Sequence, residues 1–227
     1  NIPNNLINII RASDFSICNL EAPFKHKSSH KIHKAGPNLF QNPNSVGLLK
    51  DLGFDILTIS NNHIFDYGLD SVKQTINEIR NNKLIPFGYY FDEKIEALRL
   101  KKNGIQVSII TCGENSEGCL KDNKQNFGYL WSHSKKLKNL ITREKKISDF
   151  VFVSVHAGLE DVNFPLKQWK NQFRKFIKYG ADVVIGHHPH IAQGIEKTES
   201  GIIFYSLGNF IFDYPKNSIE NKPSMSV

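Results

Sequence analysis

No stretch of this 227-residue sequence stays apolar for the length that a membrane-crossing helix needs. The first residues carry no signal-peptide pattern. Residue 1 is Asn and not Met, so this excludes neither a leader nor an anchor, and localisation stays open. Cysteine is scarce. Cys18, Cys112 and Cys119 form an odd set without zinc-knuckle spacing, which excludes a full disulfide framework. Cys18 sits in an apolar run and reads as an inert core thiol. Cys112 and Cys119 could pair across a loop but read as thiols. No basic helix or aromatic-plus-basic stripe marks a nucleic-acid surface, so no nucleic-acid partner is expected. No internal repeat or linker is visible, and residues 1–227 read as a single domain.

What is present suits a folded enzyme-sized unit. Hydrophobic residues make up 40% and aromatics 11%, too much for a disordered chain. The length allows one α/β domain with a substantial core. The net charge of +7 comes from scattered Lys and Arg and favours anionic partners in general.

Strand and helix patterns alternate along the chain, which argues for an α/β layered fold. Residues 14–20 read as a buried strand that ends just before Glu21. Residues 25–40 are polar and without periodicity, so they read as a loop. Its His26, His30 and His33 face solvent or substrate. Asn42 and Pro43 have the form of an N-cap and first helical residue, with Gly53 ending that helix. Residues 55–60 form a second core strand, followed by Asn61-Asn62-His63 and a helix from about Asp70. Residues 84–87 suit a short strand. Asn103-Gly104 joins 98–102 and 105–111 as a type I′ hairpin. Residues 113–130 look irregular, a long loop or lid. Residues 133–147 read as an exposed amphipathic helix. Residues 150–155 form a third core strand ending at His156, and Pro165 opens a helix that Gly180 stops. Val183 to Ile185 make a further buried strand that stops at Gly186, before His187, His188 and His190. A hairpin-like pair follows at 192–196 and 202–205.

Four strand ends therefore carry Glu21, Asn62-His63, His156, and the trio His187, His188 and His190. Taken singly, each also fits a solvated loop residue. Four successive strand ends with such groups are not required by packing, because core strands need only apolar residues. Open α/β sheets place ligands at these ends. Imidazole, amide and carboxylate donors together suit zinc, manganese or iron, and two ions if a carboxylate bridges them. Thiolates are absent from the set, so a structural zinc site is excluded. Open coordination positions suit hydrolysis with metal-activated water.

The motifs Asn-Leu-Glu-Ala-Pro (19–23), Ser-Asn-Asn-His-x-x-Asp-x-Gly (60–68) and His-x-Gly-x-Glu (156–160) belong to one pattern. So do Gly-Ala-Asp-Val-Val-Ile-Gly-His-His-Pro-His (180–190), with Gln193 and Glu196, and Tyr-Ser-Leu-Gly-Asn-Phe-x-Phe-Asp (205–213). Together they resemble the CapA family of bacterial capsule-biosynthesis and poly-γ-glutamate-synthesis proteins. That family is similar to the calcineurin-like metallophosphoesterases, with an αββα sandwich and a two-metal centre. The resemblance implies that Glu21 stands where the superfamily has a bridging Asp. Asn62, His156, His188 and His190 would be metal ligands, with His187 a further candidate. His63 would be the acid that protonates a leaving group. Asp66 and Glu160 would orient imidazoles, though a helix cap and a surface carboxylate fit them as well. Asn209 would line the same site or satisfy backbone. The implied cofactor is a divalent metal, two ions of Mn, Zn or Fe.

Two departures from the pattern stand out. The family opens on a strand carrying Gly-Asp, and residues 1–11 contain no Asp. A further strand is also expected after the last motif. The sequence thus reads as a fragment lacking the first and last strands, with one metal site incomplete. Ala157 stands where family members often have Trp. The implied function is a metal-dependent hydrolase in capsule or poly-γ-glutamate synthesis or export, acting on an anionic polymer or phosphoester. Such a protein would be cytoplasmic, or membrane-associated or extracellular if anchored, and could work in a membrane synthesis complex. The alternatives are a non-catalytic polymer-binding component and a phosphoesterase of small metabolites.

Overall fold

The computed structural model describes residues 2–92, 94–120 and 126–212. In chain order the elements are α1 (Asn4–Ala12), β1 (Ile17–Asn19), α2 (Ser45–Leu52), β2 (Ile56–Thr58), α3 (Gly68–Asn81), β3 (Ile85–Phe87) and β4 (Tyr90–Phe91). Then come β5 (Leu98–Lys102), β6 (Ile105–Gly113), β7 (Cys119–Leu120), β8 (Phe127–Leu130) and α4 (Lys135–Glu144). The last are β9 (Phe150–His156), α5 (Lys167–Tyr179), β10 (Val183–His187), β11 (Ile195–Lys197) and β12 (Ile202–Phe204). Asp213, the final residue of the last sequence motif, lies outside the described residues. Among the described residues no helix is long and apolar enough to cross a membrane.

The chain groups into two compact units, Asn1–Ile95 with Thr111–Ser134, and Glu96–Ile110 with Lys135–Val227. In the first unit β1, β2 and β3 form a parallel sheet with β2 at its centre. Every residue of β2 is buried, which explains its uninterrupted apolar sequence. The crossovers run through α2 and α3. Val72, Ile76 and Ile79 give α3 its buried stripe. Its Ser71 and Thr75 are buried too, because they serve the loop after β1. Thr75 Oγ1 accepts the Phe24 N–H at 2.9 Å, and Ser71 Oγ donates to the Phe24 carbonyl at 3.0 Å. The sheet's strand-end loops are stitched together in the same way. Asn61 Nδ2 donates to the Leu20 carbonyl at 2.9 Å and Gln41 Nε2 to the Glu21 carbonyl at 2.8 Å. Glu21 thus sits on a backbone held from two sides.

Three expectations for the first unit need correction. Helix α2 begins at Ser45, two residues after Pro43, because Asn42 closes a turn first. Its carbonyl accepts the Ser45 N–H at 2.9 Å and its Oδ1 accepts the Asn44 N–H at 3.0 Å. Residues 113–130 are not irregular throughout. Cys119–Leu120 pairs in parallel with Phe127–Leu130, which pairs antiparallel with Tyr90–Phe91. These strands are two to four residues long, too short for a period to show. Residues 4–12, to which no element was assigned, form α1. Cys18, Cys112 and Cys119 form no disulfide, and burial pushes the Cys18 thiol up to about 12.

The second unit is built on a mixed sheet of order β11-β12-β10-β9-β6-β5. The β9–β10 and β10–β12 pairs are parallel, and the β5–β6 and β11–β12 pairs antiparallel. Val151, Val153, Val155, Val184 and Ile203 are fully buried along it. Each such side chain stabilises by about 1.5–3 kcal/mol. Asn103 and Gly104 both have positive φ, the backbone a type I′ turn demands. Phe173 and Phe176 of α5 pack inward, and Phe173 stacks on Tyr205 with centroids 5.7 Å apart. Strand β10 does not stop at Gly186 but passes through it to His187. A Cβ at residue 186 would lie 2.0 Å from the Tyr205 carbonyl oxygen, so glycine here is a packing need and not a terminator. Helix α4 is shorter than expected and ends in Glu144, a carboxylate with no exposed surface. Arg99 grips it at 2.7 and 2.8 Å and Ser108 Oγ donates at 2.8 Å.

Candidate metal centre

Parallel pairing sets the second unit's candidate residues side by side. His156 ends β9 and His187 ends β10, in direct register. Ala157 N–H donates to the His187 carbonyl at 3.0 Å, and Asp161 N–H to the Pro189 carbonyl at 3.1 Å. The two strand-end loops, 157–161 and 188–190, therefore run together. Gly158 makes this possible, because a Cβ there would meet Pro189 Cγ at 2.7 Å.

The second loop is strained. His188 has φ 97° and His190 φ 61°, left-handed values that cost side chains of this kind about 1–3 kcal/mol each. Asp161, beside Glu160, is left-handed too, at 58°. Strain of this sort persists only where the surroundings over-determine it. Here Leu207 N–H donates to the Gly186 carbonyl at 3.3 Å and Asn209 N–H to the His190 carbonyl at 3.2 Å, bracketing the turn.

The strained turn brings imidazoles together. His188 Nδ1 lies 3.2 Å from Nε2 of the buried His156. Two nitrogens bound at about 2.0–2.1 Å to one ion sit roughly 3 Å apart, so the pair has the spacing of two neighbouring ligands. His188 Nε2 faces Glu160 at 3.8 Å, and the Glu160 side chain is 55% exposed. His190 Nδ1 lies 2.9 Å from Asn209 Oδ1. An amide oxygen only accepts, so Nδ1 carries the hydrogen and Nε2 keeps its lone pair for a ligand. Donor atoms of Glu160, His188 and His190 lie within 4.8 Å of one another. This nitrogen and oxygen set fits a divalent zinc-, manganese- or iron-type ion. His187 lies outside that group.

In the first unit, Asn62 and His63 follow β2 on a turn that Asn61 shapes by accepting the His63 N–H at 3.2 Å. His63 Nδ1 lies 2.7 Å from Asp66 Oδ2, three residues on, and Asp66 has no exposed surface. The carboxylate accepts, so Nδ1 carries the hydrogen and Nε2 is the nitrogen left for chemistry. Glu21 lies two residues past β1, followed by Ala22 in left-handed backbone at φ 80°. Glu21, Asn62, His63 and Asp66 thus belong to the first unit. His156, His187, His188, His190, Glu160 and Asn209 belong to the second.

Lys34 carries no mark of its own in the sequence. It lies in the polar 25–40 segment, yet its side chain is only 9% exposed and pairs with Asp66 Oδ1. No local pattern separates it from the other lysines of that segment. The signal would be its partner 32 residues away, which only the fold reveals.

The bacterial capsule synthesis protein family PGA_cap matches residues 1–214. The PGA biosynthesis protein CapA of Bacillus subtilis (strain 168) is 33% identical over 208 residues, spanning 90% of this chain and 55% of that protein. The capsule biosynthesis protein CapA of Bacillus anthracis is 30% identical over 212 residues, spanning 90% and 52%. The chain therefore spans about half the length of these curated relatives. Among solved structures, one from Staphylococcus aureus, described as a candidate 5′-nucleotidase in complex with α-ketoglutarate, aligns with a TM-score of 0.58. It has 18% identity and covers 89% of this chain and 42% of its own. A hypothetical protein from Thermus thermophilus aligns at 0.52, with 16% identity, over 90% and 69%. The likeness is one of fold alone, α/β with mixed sheets.

Proposed function

The chain belongs to the bacterial capsule synthesis protein family PGA_cap, and on that premise we propose that it is a metal-dependent hydrolase of capsule or poly-γ-glutamate synthesis. The observation that carries this reading is the His190–Asn209 pair beside the 3.2 Å His156–His188 pair. It supplies imidazole nitrogens at ligand spacing, and in His190 the Asn209 oxygen draws the hydrogen to Nδ1, away from Nε2. In this proposal His156, His188 and His190 are divalent-metal ligands, His188 standing beside His156 on one side and grouped with His190 and Glu160 on the other, and Glu160 and Asn209 steer the His188 and His190 rings. Glu21 and Asn62 keep a ligand role, for up to two ions of Mn, Zn or Fe, on the sequence resemblance alone. His187 is the more replaceable histidine. When bound, such a metal supplies Lewis acidity and activated water.

His63 has a separate task. With its Nδ1 hydrogen committed to Asp66, Nε2 is the nitrogen that takes up a proton, and the imidazolium so formed passes that proton to the departing oxygen or nitrogen and returns to the neutral Nδ1–H ring. The substrate is an anionic polymer or a phosphoester, and the setting a membrane synthesis complex. The experiment is metal analysis of the purified full-length protein with phosphodiesterase and amide-hydrolysis assays, repeated on His63→Ala. Bound metal together with turnover that falls at least about 100-fold in the variant supports the reading. Metal-free protein whose turnover ignores the substitution overturns it.

A second reading, a non-catalytic polymer-binding component, is favoured by one feature of the second unit. Helix α5 carries Lys167, Lys170, Arg174, Lys175 and Lys178 and no acidic residue. Asn171, Arg174, Lys175 and Lys178 line a recess of about 310 Å³. None of the exposed large hydrophobic residues lies on this helix, so the face suits a polyanion held by charge.

A further inference from the structure

Residues 25–40 close around one residue, Asp66. Ile32 N–H donates to the Asp66 carbonyl at 2.9 Å, and Asn38 Nδ2 donates to the same carbonyl at 3.0 Å. Leu39 N–H donates to Asp66 Oδ2 at 2.6 Å. Lys34 Nζ pairs with Oδ1 and stands 3.2 Å from His63 Nδ1. Asp66 is thus the hub of the segment and, through Oδ2, the partner of His63.

The hydrogens can be assigned from donor inventory. An ammonium only donates, and a carboxylate only accepts. If Lys34 donated to Nδ1, that nitrogen's lone pair would face Lys34. Oδ2, at 2.7 Å, would then lack a hydrogen between two acceptors. With Nδ1 donating to Oδ2 and Lys34 ion-paired to Oδ1, the 2.7 Å contact has one donor and one acceptor, and the longer 3.2 Å approach of Lys34 Nζ to Nδ1 is two donors side by side and no hydrogen bond. A carboxylate without surface exposure is costly unless it is paired, and among the described residues Lys34 is the lysine that pairs with it.

We propose that Lys34 is a positioning residue for His63. By holding one oxygen of Asp66 it turns the other onto Nδ1, which fixes the Nδ1–H tautomer and leaves Nε2 as the acting nitrogen. The catalytic consequence rests on the reading of His63 as the proton donor; the tautomer does not.

The test uses the full chain with ¹⁵N-labelled histidine. Long-range ¹H–¹⁵N spectra, at a pH where the ring is neutral, report the tautomer of His63, whose signal is identified by its loss in His63→Gln. Three variants are compared. Lys34→Met removes the amine and keeps the stem. Lys34→Arg restores a cation. Asn38→Ala cuts another tie to Asp66 and leaves Lys34 in place. The expected result is the Nδ1–H form in wild type, Lys34→Arg and Asn38→Ala, and a mixture with Nε2–H in Lys34→Met. In the same samples kcat falls about 10- to 100-fold for Lys34→Met, with KM and metal content unchanged. An Nδ1–H tautomer retained in Lys34→Met overturns the proposal. So does an Asn38→Ala spectrum altered as much as that of Lys34→Met, since segment closure and not the amine would then be responsible. If Lys34→Met does not fold by circular dichroism, Lys34→Leu, which likewise lacks charge and donor, takes its place with the same expectation. Absence of turnover in every sample defeats the proton-donor reading of His63, while the spectra still decide the role of Lys34.

Discussion

Asn209 and His190 are joined twice. The side-chain oxygen of Asn209 takes the Nδ1 hydrogen of His190 at 2.9 Å, and its backbone N–H donates to the His190 carbonyl at 3.2 Å. One contact sets the ring and the other sets the left-handed backbone that carries it. Asn209→Ala keeps the backbone contact and removes the ring contact. Metal affinity, measured by titration of the metal-stripped protein, should fall about 10- to 100-fold, while the thermal midpoint of the metal-free protein changes little.

Glu144 makes acid sensitivity specific. The hydrogen bonds from Arg99, chiefly, hold its carboxyl down at about 2, against burial that pushes it up. A depressed folded value means that this group adds stability above the unfolded value of about 4.5, and that the contribution is lost as pH falls towards 2. Glu144→Gln should lower stability at neutral pH by about 1–3 kcal/mol, as expected for lost hydrogen bonds to a charged group. Its stability should then decline less than that of wild type between pH 4.5 and 2. Urea midpoints measured across that window check both statements.

Gly186 has no room for a methyl group. Its Cβ would meet Tyr205 backbone at 2.0 Å and the Phe173 ring at 3.0 Å. Gly186→Ala should cost at least about 1–3 kcal/mol in denaturant unfolding. Because the strand delivers His188 and His190, metal affinity should fall with it.

The face of α5 bears on the polymer-binding reading. Lys175→Glu with Lys178→Glu replaces two of the cations lining the recess. Binding of a synthetic polycarboxylate at low salt should weaken at least about tenfold, and wild-type binding should fade as ionic strength shortens the screening length. Metal content should not change. Equal binding by variant and wild type would remove α5 from consideration.

The parts of the fold legible in the sequence are those in which one side chain answers to one local environment. Val151, Val153 and Val155 alternate because β9 is pleated, and Asn103-Gly104 announces its turn because both residues need positive φ. The histidines at the ends of β9 and β10 are legible for the same reason, as polar residues at the edge of apolar runs. Lys34 and Glu144 were not legible. Each is a charged residue that looks solvated in its own segment and is buried by a partner far along the chain. Strands β7 and β8 escaped notice because their pairing is made by backbone, which leaves little mark on side-chain type. Gly186 looks like a stop in the sequence, because a clash with the Tyr205 backbone leaves no trace in the residues beside it.

The two units are interleaved along the chain, since Glu96–Ile110 is a piece of the second unit set between two pieces of the first. This has a consequence during synthesis. The β5–β6 hairpin leaves the ribosome about 40 residues before β9, the strand beside β6 in the finished sheet. At translation rates of about 5–20 residues per second, that is roughly 2–8 s. For that interval the hydrogen-bonding edge of β6 has no neighbour, and the first unit still awaits its own return segment. The nascent chain therefore passes through a stage in which a long apolar strand is open to the wrong partner, and chaperone demand should be greatest there.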